Sequence, residues 1–326
     1  MTKSNKLGLI VLTLLLATIG IVYWQSRNIR DWIKLSRYTP SSDIINLVSD
    51  DTMTPYAKRL FYINHPAFLS GASFRQECPN SASTISTILG CYHPDQNGIF
   101  IFTVNNPTLK GVEQVTAAHE VLHAIWARLP NSERNRVGAL LKAYYDNNLT
   151  DPVIKDEISL YQKTEPNSVL DEMNSTFGTE IANLPPELNS YYSQFFTDRS
   201  MVVKYSSGYK SVFIGYRDQI KADDLELNHI KSQIDSNQTT IKNDMDSIAS
   251  QRSDLNKLLS NHQIPEYNAG VAQLNTLIVT YNDLITQTQS LIDQYNQLVV
   301  TRNSDAIIFD DLTNQLNSNL MPIKAN

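Results

Sequence analysis

The period of hydrophobic and polar positions changes twice along the chain. Residues 7–24 form an apolar run of 18 residues without a charge. A helix of that length spans about 27 Å, close to the hydrocarbon core of a bilayer. Lys3 and Lys6 precede it, Arg27 and Arg30 follow it, and Tyr23 and Trp24 suit the lipid–water interface. The run ends in Val22-Tyr23-Trp24-Gln25, without the small residues of a signal-cleavage site. It therefore reads as an uncleaved transmembrane anchor.

Residues 28–60 read as a juxtamembrane segment leading into helix, with a turn and N-cap at Thr39-Pro40-Ser41-Ser42-Asp43. Between 61 and 107 helical periodicity is lost. Residues 84–92 lean towards β structure, residues 94–98 make a turn, and Ile99-Phe100-Ile101-Phe102-Thr103-Val104 is a strong strand. Together they predict a β-hairpin with Cys91 near its turn. Helices are predicted over 110–128, 131–147, 153–164, 167–182 and 186–197. Pro130 stops the first of these, and Pro185-Pro186 opens the last.

From residue 209 the period becomes seven. Phe213, Ile220, Leu227, Ile234, Ile241, Ile248 and Leu255 share one heptad position. The partner position is weaker, with Tyr216, Asp223, Ile230, Asn237 and Asp244. Ile264-Pro265 interrupts the pattern. It resumes with Leu277, Leu284, Leu291 and Leu298 beside Ile278, Ile285, Ile292 and Val299. This predicts two long helices in an antiparallel coiled-coil hairpin. The polar partner positions leave residues 209–320 a surface for a partner protein or for self-association. The expected domains are an anchor at 1–27, an α+β unit at 28–205, mostly helical with a small hairpin or sheet, and the helical hairpin at 206–326.

Chemistry concentrates in one helix. His119 and His123 lie four apart in His119-Glu120-Val121-Leu122-His123, so both imidazoles share a face. That spacing suits two ligands of one Zn²⁺, with Glu120 about 100° round the helix. There Glu120 can serve as general base towards a zinc-activated water and then as acid towards the leaving amine. The pattern arises by chance in roughly 0.4% of chains of this length and composition. Val115, Ala118, Leu122 and Ile125 form an apolar stripe beside the histidines, so the helix can bury one side and present its ligands. A third ligand is expected at a catalytic zinc. No third histidine follows within H-E-x-x-H-x-x-G-x-x-H spacing, so a later helix must supply it. The segment 168–180 holds Glu172 and, as the alternative, Glu180.

The full H-E-x-x-H match, with a glutamate on a later helix, resembles the gluzincin-type zinc metallopeptidases. Asp171-Glu172-Met173-Asn174-Ser175 followed by Phe177-Gly178-Thr179-Glu180 is similar to the corresponding stretch of uncharacterised bacterial membrane-anchored predicted peptidases with a C-terminal coiled coil. The similarity covers roughly 85–205 and the overall layout. It implies a zincin-like fold and the ligand role for Glu172. The common gluzincin pattern has an Asp four residues after that glutamate, where this chain has Thr176. Such enzymes often steady the oxyanion with a Tyr or His, and Tyr191, Tyr192 and Tyr205 are available.

Composition narrows the partners. Net charge is −6, only 18% of residues are charged, and no basic stripe follows the N-terminal region, which excludes a nucleic-acid partner. Cys78 and Cys91 lie in a turn-rich stretch and are read as a disulfide, stabilising by roughly 3 kcal/mol and implying an oxidising compartment. Counted by the positive-inside rule, Arg27, Arg30, Lys34 and Arg37 would hold the C-terminal side in the cytoplasm. The short basic tail before the run and the paired cysteines point outward. The reading that results is a single-pass membrane protein with an extracytoplasmic zinc peptidase domain acting on peptide or protein substrates. The competing reading is a non-catalytic membrane-anchored coiled-coil scaffold whose zincin-like domain is structural or degenerate.

Overall fold

The computed structural model describes residues 25–79, 88–94 and 98–320. They form two compact units, one of residues up to 212 together with 313 onwards, the other of 213–312. Among the described residues no helix is long and apolar enough to cross a membrane. The apolar run at 7–24 lies outside them, as do residues 84–87 of the β-leaning stretch and 95–97 of the predicted turn.

The first unit opens with α1, over residues 25–36. Then come α2 (Ser42–Asp50), α3 (Pro55–Ile63), β1 (Ala67–Leu69) and α4 (Gly71–Glu77). The hairpin strands β2 (Gly90–His93) and β3 (Gly98–Phe102) follow, then α5 (Val112–Trp126), α6 (Asn131–Asn147), α7 (Pro152–Thr164), α8 (Val169–Glu180) and α9 (Pro186–Tyr192). Side chains start several of these helices. Ser41 accepts from the Ile44 amide, Thr54 from Ala57, and Asp151 from Val153 and Ile154, each satisfying donors that a helix leaves free. Chain also packs where no helix period signals it. The predicted helix at 186–197 ends at Tyr192, because the following residues pair with the turn after α2. Thr54 N donates to Phe195 O, and Thr197 N to Thr52 O.

The sheet order is β1-β3-β2. β2 and β3 are the predicted antiparallel hairpin, with Cys91 opposite Phe100. β1 was not predicted, nor was α4. Three residues are too few to show a period, and β1 is fixed by its parallel pairing with β3. Cys78 and Cys91 form the expected disulfide, which ties the end of α4 to β2.

α5 lies against this sheet, α3 and α8, and eleven of its residues are buried. That all-round burial explains why its sequence reads as apolar on most sides. Its start is held by the Glu113 carboxylate, which accepts from Val104 N at 2.8 Å and so links the strand end to the helix. Its far end is fixed by Arg128, whose guanidinium makes two hydrogen bonds to Asp31 of α1, at 2.7 and 3.0 Å.

Two long helices, α10 (Arg199–Ser260) and α11 (Ile264–Leu316), pack as a hairpin. Its turn has His262 in the left-handed region (φ 60°), with Pro265 in the first turn of α11. Within the second unit Phe213 meets Phe309 edge-on, and Arg302 pairs with Asp224. Most heptad positions are half-buried, because a two-helix contact covers only one side of each helix; Ile285 is exposed. The chain after residue 312 returns to the first unit, where Ser318 Oγ donates to Ile88 O at 2.7 Å. Its heptads contain no signal for that return.

Asp51 supplies a test of the packing. Its carboxylate is fully buried and neither oxygen has a hydrogen-bond partner. Burial, then the neighbouring Asp50, push its pKa well above the ordinary carboxylate value. The folded chain thus retains a proton that the unfolded chain releases near pH ~4. This contribution to stability is complete below the unfolded pKa and is lost as pH rises towards the raised folded one. Asp51→Asn should therefore raise unfolding free energy at neutral pH by about 1–3 kcal/mol. The advantage over wild type should vanish below about pH 4, as urea unfolding of both proteins across pH will show.

Candidate metal centre and active-site cleft

The centre is built where α5 crosses α8. The helices can touch because α8 carries small residues along its buried face. A Cβ at Gly178 would lie 2.5 Å from Leu122 Cδ1 and 2.7 Å from Tyr192 Cε1. Asn174 Nδ2 donates to Leu122 O at 3.4 Å, and Tyr192 Oη donates to Asn174 O at 2.8 Å. Arg199 closes the end of α8 by donating to Ile181 O at 2.7 Å and Ala182 O at 2.9 Å. The first turn of α8 is thereby presented to the histidine face of α5.

His119, His123 and Glu172 each offer one atom to a common point, all within 4.8 Å of one another. His119 Nε2 lies 3.6 Å from Glu172 Oε2, and His123 Nε2 lies 3.6 Å from Glu172 Oε1. Tetrahedral donors on bonds of about 2.0–2.1 Å stand roughly 3.3–3.4 Å apart, so this set suits one small cation. Glu180, the alternative ligand, does not join the triad. It is ion-paired with Lys210.

Asp171, one residue before Glu172, was not singled out from the sequence. Its Oδ1 lies 2.8 Å from His123 Nδ1, which fixes the ring so that Nε2 faces Glu172. Thr176, at the position of the usual Asp, is instead buried inside the packing of α8. The carboxylate beside His123 is therefore that of Asp171, which precedes Glu172 in the sequence.

The electrostatics favour a cation. Burial opposes charge on His123, yet Glu172, Asp171 and Glu120 outweigh it and push its pKa up to about 10. Burial would raise Glu172, but the two histidines and the nearby Tyr161 hydroxyl hold it below the usual carboxylate range. Glu120 is only 5% exposed, and burial raises its pKa despite both histidines. It sits against β2. A Cβ at Gly90 would fall 2.7 Å from Glu120 Oε1 and 2.5 Å from Thr116 Cγ2. Only glycine lets the strand approach the carboxylate this closely.

No protein-family model, no curated protein and no solved structure matches this chain.

The triad opens into a cleft of about 540 Å³. Leu89, Gly90 and Tyr92 form one wall; Glu157, Tyr161 and Glu165 of α7 and its following turn form another. The tyrosines nominated from sequence are elsewhere. Tyr191 and Tyr192 are buried in the core, and Tyr205 packs its backbone against Gly111. Tyr161 and Tyr209 line the cleft instead. No local pattern distinguishes them among 16 tyrosines; only the placement of α7 and α10 does. His93 is structural, with Nε2 2.6 Å from Glu77 O, and His229 and His262 are exposed on the hairpin. Asn174, in a glycosylation-like triplet, is fully buried.

Asp171→Asn should weaken binding of a divalent ion at the triad by about 10–100-fold without changing the fold, measured by chelator competition. Gly90→Ala should keep metal affinity near wild type while displacing Glu120. Turnover of any substrate found should then fall more than metal content, as elemental analysis beside an activity assay will show.

Proposed function

We propose that the chain is a zinc-dependent peptidase, with His119, His123 and Glu172 as metal ligands and Glu120 as the general base. The observation that carries this reading is the convergence of the three donors beside a buried, uncoordinated glutamate. The donor set, two imidazoles and a carboxylate, is one that zinc favours at sites retaining an open position. Bound zinc would supply Lewis-acid polarisation of the scissile carbonyl and acidify an attacking water.

The protein's own residues do the rest. Glu120 accepts the proton of the attacking water and returns it to the leaving nitrogen. Its raised pKa moves it towards the range where both transfers are efficient. Asp171 holds His123 in one orientation. Among the described residues β2 is an edge strand along one side of the cleft, which suits an extended peptide that pairs with its backbone. Tyr161 stands across the cleft with its hydroxyl near Glu172, and burial raises its pKa so that it remains a donor. The disulfide fits a domain on the extracytoplasmic side of a membrane, with residues 7–24 as the anchor.

Glu120→Gln should retain zinc but lower peptide hydrolysis by roughly 10²–10⁴-fold. His119→Ala should lose the metal. Zinc content and cleavage of a peptide library by the purified protein check both. Zinc bound by wild type without any cleavage would favour the scaffold reading, and wild-type cleavage by both variants would overturn the site.

A further inference from the structure

The helix α1 has two faces with different partners. Its inner face is committed to the fold. Asp31 is buried in the ion pair with Arg128, Lys34 O lies 2.9 Å from His65 Nε2, and Leu35 packs against the core. These positions follow the i, i+3, i+4 spacing of one helical side. The opposite side repeats that spacing with Ile29, Trp32 and Ile33, which are 42%, 67% and 37% exposed. Three large apolar side chains side by side on one helix are a contiguous patch rather than scattered surface residues.

The flank of this patch is basic. Arg30 follows Ile29 and lies about 100° round the helix from it, Arg27 is in the first turn of α1, and Arg37 directly follows its last residue. All three are exposed, and none forms an ion pair among the described residues. Apolar and aromatic side chains on one face with arginines beside them are the composition of helices that lie in a membrane interface. Immediately before α1 in the sequence is the uncharged 18-residue run at 7–24. A bilayer crossed by that run would meet α1 at its headgroups.

We infer that α1 is an interfacial helix whose Ile29, Trp32 and Ile33 enter an anionic lipid surface while Arg27, Arg30 and Arg37 contact its headgroups. The consequence reaches the metal centre. Arg128 lies five residues after His123, about 7.5 Å along the helix direction. Its two hydrogen bonds to Asp31 couple the membrane-facing helix to the helix that carries both histidines. The cleft is thereby held at a fixed height over the lipid, which favours substrates near the membrane surface. This last step rests on the peptidase reading; the lipid contact does not.

The test uses the full chain reconstituted in vesicles, with a nitroxide label on Trp32→Cys or, as a control, on Val153→Cys, which replaces another exposed apolar residue. Collisions of the label with oxygen and with a water-soluble nickel chelate report lipid and water contact. In phosphatidylcholine vesicles containing phosphatidylglycerol, the label at 32 should favour oxygen several-fold over the label at 153. Neutral phosphatidylcholine vesicles, or Arg27→Gln/Arg30→Gln/Arg37→Gln together, should return it towards water. Equal nickel access at both sites would overturn the proposal. So would protection from both probes, which means that protein covers the face, or a lipid contact indifferent to charge. Zinc content and peptide cleavage, read on the same samples, separate failure of this inference from failure of the peptidase reading.

Discussion

The contact between α5 and α8 is the constraint on which the centre depends. Two imidazoles on one helix present a metal with two ligands and no more. The third must come from another helix at a distance set to within a fraction of an ångström. Gly178 sets that distance, because any side chain there would strike Leu122 or Tyr192. The Asn174 and Tyr192 hydrogen bonds and the Arg199 cap then hold α8 against sliding or fraying. Buried polar groups used in this way are costly if left unpaired, so the arrangement is well specified as well as close.

A second constraint is charge. Glu120, Asp171 and Glu172 surround two imidazoles in a half-buried site. An excess of buried negative charge is expensive unless a cation answers it. Protons on the histidines provide part of the answer, and a divalent ion would compete for the same positions. Glu120 differs from its neighbours in lacking a direct partner. Its carboxylate is packed against Gly90.

The cleft wall opposite α8 rests on a sheet of three short strands, which would be marginal alone. Three ties steady it. The disulfide joins β2 to α4. The side chain of Ser318 holds Ile88 at the approach to β2, and Arg75 of α4 donates to the carbonyls of Ser318 and Leu320. α5 itself covers one face of the sheet. The segment returning after α11 therefore contributes to the same wall that positions Glu120.

Local pattern determined much of this protein. The H-E-x-x-H spacing put two imidazoles on one face because helical geometry leaves no choice. The β-branched and aromatic run at 99–104 after a turn signal fixed the β2–β3 hairpin, and the seven-residue period fixed the two long helices. The cysteines in the turn-rich stretch named their own bridge. The third donor was narrowed to Glu172 or Glu180, since both sit on one predicted helix, but their separation could not be converted into a direction without the packing of α8. Tertiary structure alone decided that Glu172 faces the histidines while Glu180 meets Lys210. It alone revealed Asp171 as the partner of His123, Tyr161 and Tyr209 as the cleft tyrosines, β1, and the return of the chain after residue 312. The physical reason is common to all of these. A period in sequence records which face of an element is buried, whereas the neighbour across that face is fixed by side-chain volume and hydrogen bonding between segments far apart in the chain.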